Sequence, residues 1–148
     1  MCSARRQVRP HEEPAFEPTS VEGVPMSREI VSAFFAALES GDIEAIREIY
    51  APDIVVWHNY DQVEQDLEQS LKVLKAFRRT VSDVRYEIIR QADTGDGVLQ
   101  QHILHGRLSD GRNIAIPAAI YLQVRDGRIT RIEEYLDPSP LMSPREAG

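Results

Sequence analysis

The chain has almost no cysteine. Its single thiol, Cys2, has no internal partner, which excludes a cystine-stapled fold and a cysteine-built metal site. No apolar run approaches the roughly 18 residues that a bilayer span requires. The arginines of Met1 to Pro10 are not followed by the apolar core of a signal peptide. These absences predict a cytoplasmic chain. Positive charge is also short, with 17 basic against 24 acidic residues and a net charge of -7. Such a balance repels phosphate backbones and anionic lipid, so neither nucleic acid nor a membrane is an expected partner. There is no Gly-rich phosphate loop and no internal repeat, and no cofactor is expected. At 148 residues, one domain is the expectation.

What is present falls into three parts. Residues 1–25 hold four of the nine prolines and no apolar periodicity, and read as a disordered leader. Residues 138–148 carry Pro138, Pro140 and Pro144 and read as a flexible tail. The folded unit is then 26–137, with 13 basic and 19 acidic residues, so the acidity belongs to the domain.

Within it, Ser27 caps a helix with Ile30, Val31, Phe34, Phe35 and Leu38 on one face, ended by Gly41. Asp42 starts a second, short helix bearing Ile43, Ile46, Ile49 and Tyr50, stopped by Pro52. Asp53 to Tyr60, with Ile54, Val55, Val56 and Trp57, reads as a strand. Asp61 and Glu64 form a candidate capping box for a third helix with Val63, Leu67, Leu71, Leu74 and Phe77 on its stripe. From Asp83 the period becomes two. Asp96-Gly97, Asp110-Gly111 and Asp126-Gly127 divide the remainder into four strands, roughly 84–92, 98–108, 112–124 and 128–136, folded as an antiparallel meander.

Three helices against a curved antiparallel sheet predict an α+β cone enclosing a pocket. In the third meander strand Ile114, Ile116, Ala118, Ile120, Leu122 and Val124 form the more apolar, inner set. The alternate set is half apolar, which predicts that a second copy of the chain covers the outer face as a homodimer.

The segment Ser32 to Asn59, SAFFAALESGDIEAIREIYAPDIVVWHN, resembles the opening of the nuclear-transport-factor-2-like superfamily, in its SnoaL-like and ketosteroid-isomerase-like branches. DGRI at 126–129 and EEYLD at 133–137 are similar to its last hairpin. The resemblance covers 26–137 and implies a cystatin-like, SnoaL-like cone, a fold that hosts isomerases, cyclases, epoxide hydrolases and non-enzymatic binders. In steroid isomerases of this superfamily the first strand ends in an aspartate base, a position that the Tyr-Ala-x-Asp register gives here to His58. The oxyanion tyrosine position falls on Phe34 and the protonated aspartate position on Ile120. Each lost donor removes about 3 to 4 kcal/mol of transition-state stabilisation, which disfavours steroid isomerisation by the standard route. The epoxide-hydrolase pattern has its arginine at Arg107 but lacks the flanking aspartates, with His105 and Ser109 in their places. His105-Gly106 looks like the pocket His-Gly step of SnoaL-type cyclases, without their acidic partner near Ile120.

The same register predicts Gln101, Ile103, His105 and Arg107 on the inner face of one strand and Ile132, Glu134 and Leu136 on that of the last. The candidate catalytic groups are therefore His58, Glu134 and His105. Phe34, Leu38, Val56, Gln101, Ile103, Arg107, Ile116, Ala118, Ile120 and Leu136 are the expected pocket lining. A histidine titrates near neutrality, and a carboxylate beside it sets its tautomer and supports the imidazolium. The competing reading of His58 is a buried histidine bonded to local backbone. His102 and His105 point to opposite faces and do not chelate one metal. His58, His105 and Glu134 match a two-His-one-carboxylate set by type alone, and a metal is not expected. Trp57 and Tyr135 have outward parity. Two functional classes follow: an acid–base enzyme acting on a small, moderately apolar molecule, of isomerase, cyclase or hydratase type, or a non-catalytic ligand-binding or dimerisation module.

Overall fold

The computed structural model describes residues 27–142. The expected leader, 1–25, lies outside them. The elements run α1 (Ser27–Ser40), α2 (Ile43–Ile49), β1 (Tyr50–His58), β2 (Glu64–Gln65), α3 (Leu67–Thr80), β3 (Val81–Asp93), β4 (Gly97–Leu108), β5 (Asn113–Arg125) and β6 (Arg128–Leu136), then a 3-10 turn at Ser139–Leu141. No helix is long and apolar enough to cross a membrane among the described residues.

The helices begin and end for local reasons. Gly41, at φ +71, turns α1 out of its path while the Gly41 and Asp42 amides donate to the carbonyls of Leu38 and Ala37. Asp42 caps α2 by accepting from the Ala45 amide. The capping box of α3 is Asp66 with Gln69, each side chain accepting from the other's backbone amide at 2.9 Å. The expected box, Asp61 with Glu64, is not used. Asp61 instead accepts from the Val63 amide in a turn, and Glu64 joins the two-residue strand β2. Val63, expected on the buried stripe, is exposed as a result.

The six strands form one sheet in the order β2-β1-β6-β5-β4-β3. The predicted β3–β6 meander is present, and β1 adds to β6 in parallel, so the sheet is mixed. Register shifts in β1 between Tyr50 and Val55, and in β3 on both sides of Arg85 to Ile88, bend the strands. The curved sheet and the three helices make the α+β cone. Its main core joins Val31, Phe34 and Leu38 of α1 and Ile46 of α2 to Ile54, Val98, Ile120, Leu122 and Ile132 of the sheet. Burial of each large side chain contributes about 1.5 to 3 kcal/mol. A second cluster, around Val81, Leu104, Leu108 and Ile116, continues the core toward the chain's end. There, residues 138–142, expected as part of a flexible tail, fold back. Leu141 packs on this cluster, and the Arg112 guanidinium donates to the Met142 carbonyl at 3.0 Å.

Candidate active site

α1, α3 and five of the strands of the meander and its parallel neighbour converge on a cavity of about 180 Å³. Its walls are mainly apolar and aromatic. Phe34, Leu38, Val56, Ile120 and Leu136, all expected in the lining, are there, with Phe35, Phe77, Leu104 and Ile132. Pro138 and Leu141 of the folded-back segment contribute to its wall. Ile116 and Ala118 occupy the predicted inner face of β5 but are buried in the packing behind the cavity rather than lining it.

The polar groups converge at one place. β1 and β6 pair in parallel with His58 directly opposite Glu134, so both side chains enter the cavity side by side. His58 Nε2 lies 3.4 Å from Glu134 Oε1, and both side chains are largely buried. Asn59 pins this junction. Its amide donates to the Glu134 carbonyl at 3.1 Å, and its side-chain oxygen accepts from the Leu136 amide at 2.9 Å. The end of β1 is thus fastened to β6 on both sides of Glu134. His58 Nδ1 is buried and has no hydrogen-bond partner, and the ring leans on Tyr60 at a centroid distance of 5.2 Å. The local backbone bond expected by the competing reading of His58 is not made by its side chain.

The inner row of β4 differs from the expectation. Gln101, Ile103, His105 and Arg107 lie on the opposite face from the cavity. Gln101 and Arg107 are exposed, and His105 meets Glu87 at 2.8 Å on the outer surface. The inward residues are Val98, Gln100, His102, Leu104, Gly106 and Leu108. The cause is one residue of loop length. Asp126-Gly127 is a two-residue turn with both residues at positive φ, which pairs Arg125 with Arg128. Asp110-Gly111 instead sits in a three-residue loop closed by the Leu108 amide on the Arg112 carbonyl, with only Gly111 at positive φ. Even positions of β4 therefore face even positions of β5, as in His102 opposite Ala118. A two-residue loop with no bulge would have put the odd set inside; beyond the two-residue turn at Asp126-Gly127, a bulge between Gln123 and Val124 restores even facing even, as in Ile120 opposite Glu134.

This register brings in His102, which lies on the face opposite to His105. It is almost fully buried between Phe35 and Tyr86, with Nε2 3.8 Å from Glu134 Oε2. Burial pushes its pKa down, against the opposing pull of Glu134. Tyr50 and Tyr86 were not anticipated in the lining either. Burial raises both phenols, Tyr50 to about 12, so each is a neutral O–H group at ordinary pH. The Tyr50 hydroxyl pairs with Ser70 Oγ at 3.3 Å. Among the described residues no lysine or arginine lines the cavity. Among the described residues no group of three or more His, Cys, Asp or Glu side chains has the arrangement of a metal site.

The model of the family described as SnoaL-like domain matches residues 31–132, most of the chain. The chain belongs to the SnoaL-like domain family. No curated protein is significantly similar to it. Among solved structures, this SnoaL-like domain is similar to a protein of ketosteroid-isomerase-like fold from Catenulispora acidiphila, solved in complex with trimethylamine. That pair is 22% identical, covers 77% of this chain and 89% of the other, and has a TM-score of 0.68. IdmH of Streptomyces antibioticus, a proposed polyketide cyclase, is 23% identical over 76% of this chain and 93% of its own, with a TM-score of 0.69. An epoxide hydrolase of M. tuberculosis, described as LEH-like, is 22% identical over 74% and 80%, at 0.64. At these identities the likeness establishes the fold. A proposed cyclase and an epoxide hydrolase share this fold, so the chemistry of the SnoaL-like domain here has to be read from its own cavity.

Trp57 and Tyr135 keep the outward parity expected of them and stack edge to face at 5.3 Å on the far side of the sheet.

Proposed function

We propose that this SnoaL-like domain is an acid–base enzyme for a small, moderately apolar molecule, with His58 as the proton-transfer group and Glu134 as its partner. The observation that carries this reading is the His58–Glu134 pair in a cavity otherwise walled by aromatic and aliphatic side chains. The His58 imidazole takes a proton from an acidic C–H or from an activated water, with Glu134 Oε1 3.4 Å from its Nε2. The Nε2 contact supports the imidazolium so formed. The reverse transfer returns the proton to a different atom of the substrate, which gives isomerisation, cyclisation or hydration according to what the substrate offers.

The oxyanion donors of the steroid isomerases have no counterpart at Phe34 and Ile120, both apolar and both in the wall. Tyr50 and Tyr86 bring hydroxyls to the same cavity from other strands, and their raised pKa values keep them protonated as donors toward a carbonyl oxygen. With no lysine or arginine in the lining, the cavity favours neutral substrates over carboxylates and phosphates. Similarity to a protein solved with a small amine and to proposed cyclases supports a small-molecule ligand.

The test is a thermal-shift screen with small neutral ketones, lactones, epoxides and polyketide-like compounds, followed by NMR detection of product. Conversion that disappears in folded His58→Ala supports the enzyme. Tight binding with no conversion by the wild-type chain supports instead the ligand-binding module, for which the apolar Phe34 and Ile120 speak.

A further inference from the structure

Two amides and an imidazole lie in line behind Glu134, in a part of the sheet where polar side chains are costly unless paired. Gln91 Nε2 donates to Gln100 Oε1 at 2.7 Å. Gln100 is fully buried, and its Nε2 meets His102 Nδ1 at 2.8 Å. With its oxygen already taken by Gln91, the Gln100 amide has only N–H to offer, so His102 Nδ1 is the acceptor and the imidazole proton stands on Nε2. That atom is buried, has no hydrogen-bond partner, and faces Glu134 Oε2 at 3.8 Å, while the other carboxylate oxygen faces His58. The chain therefore has a direction: each donor points toward Glu134, and Glu134 stands between two imidazoles.

We propose that His102 is a positioning residue, whose Nε2–H, oriented by Gln91 and Gln100, holds Glu134 in the rotamer that meets His58. The proposal rests on the reading of His58 and Glu134 as the acid–base pair. His102 does not itself exchange protons with a substrate, since it lies behind the carboxylate and outside the cavity wall. Its work is to set the positive edge of an N–H 3.8 Å from one carboxylate oxygen, so that the other is presented to His58 in a fixed direction. A stack of Phe35 and Tyr86 on the ring, at centroid distances of 5.4 and 5.1 Å, prevents it from turning away.

Imidazole NMR on the full-length, 15N-labelled chain at about pH 8, where histidines are neutral, tests the orientation directly. The expected result is a single neutral His102 tautomer with its proton on Nε2 and a hydrogen-bonded Nδ1. A proton on Nδ1 overturns the proposal. A pair of variants then tests the consequence. A glutamine amide reaches the place of Nε2, whereas an asparagine amide reaches only that of Nδ1. In His102→Gln the Nε2 proton of His58 should exchange with water at nearly the wild-type rate. In His102→Asn it should exchange about tenfold faster, the effect of withdrawing the N–H that faces the carboxylate from behind. Backbone amides of Ile120 and Ile132 serve as the control for folding. Equal behaviour of the two variants, with those amides still protected, overturns the positioning role. None of these measurements needs a substrate. If turnover later proves independent of His58, the acid–base reading fails while the tautomer and exchange results still stand on their own.

Discussion

His58 and Glu134 are direct partners in the parallel pairing of β1 with β6, with Nε2 and Oε1 3.4 Å apart inside the cone. A parallel pair puts register partners on the same face, so two residues 76 positions apart in sequence deliver their side chains to one point. Burying an imidazole and a carboxyl group together is weak evidence for stability, because desolvation consumes much of their attraction. On the proposed reading the pair serves chemistry rather than folding.

Removing it should accordingly separate activity from stability. On a substrate found by screening, His58→Ala is expected to lower kcat by about 10² to 10⁴. Glu134→Gln is expected to lower it less. The double variant should be no worse than His58→Ala alone, since the two act as one unit. Turnover measured beside urea denaturation checks this, and additive losses would argue that they act separately.

His102 makes stability depend on pH. Burial holds its pKa below the ordinary value of 6.5 in the folded chain, so the unfolded chain takes up the proton first. Its contribution is present above about pH 6.5, is lost as the pH falls through that value, and levels off below the depressed folded pKa. Urea unfolding followed between about pH 8 and pH 5 should show a decline that is shallower in His102→Gln, which carries no such proton. Identical slopes in the two proteins would contradict the burial argument.

Two glycines near one turn should respond differently to alanine. A Cβ on Gly97 would run into the Leu122 carbonyl oxygen, a backbone atom fixed in the ladder. Gly97→Ala is expected to cost about 3 kcal/mol or more. Gly95 has open space around it and only its φ of +87 to penalise a side chain, for about 1 to 2 kcal/mol. Equilibrium denaturation should rank them in that order.

Tyr50 is fully buried, and its hydroxyl is paired with Ser70. Tyr50→Phe should cost about 1 kcal/mol, and Ser70→Ala added to it little more, because the partner is already gone. The phenol also bears on alkaline stability. Its pKa is pushed up to about 12 by burial, so the unfolded chain loses the proton first, and stability falls as the pH rises above 10. The fall should be smaller in Tyr50→Phe, as read by unfolding across that range.

Local signals in the sequence carried the element order. Gly41, Asp42 and the three Asp-Gly pairs punctuate the chain by their backbone preferences, which act over a few residues wherever the chain is, whereas Pro52, expected to stop the second helix, lies inside β1 and the helix ends at Ile49. The alternation in β5 is strong enough to assign its inner face, and the outward parity of Trp57 and Tyr135 follows from the same period of two. Capping was harder. Asp61 with Glu64 and Asp66 with Gln69 are equivalent patterns five residues apart, and packing of Leu71 and Leu74 against the sheet chooses the second.

The site divides in the same way. Because strand ends and face parity are local properties, His58 and Glu134 were legible as inward residues of two strands. That they are neighbours is decided by the β1–β6 pairing, between segments joined by most of the chain. The inner face of β4 depended on the register set together by the Asp110-Gly111 loop and the bulge in the next hairpin. A single residue there exchanges His105 for His102 and Arg107 for Gly106, because the side-chain period is two. Composition and punctuation determined the order of helices and strands of an α+β fold, and the SnoaL-like likeness lay in residues 32–59 and 126–137. Which polar groups meet inside depended on strand register, and register is set by long-range pairing and by the conformation of one loop.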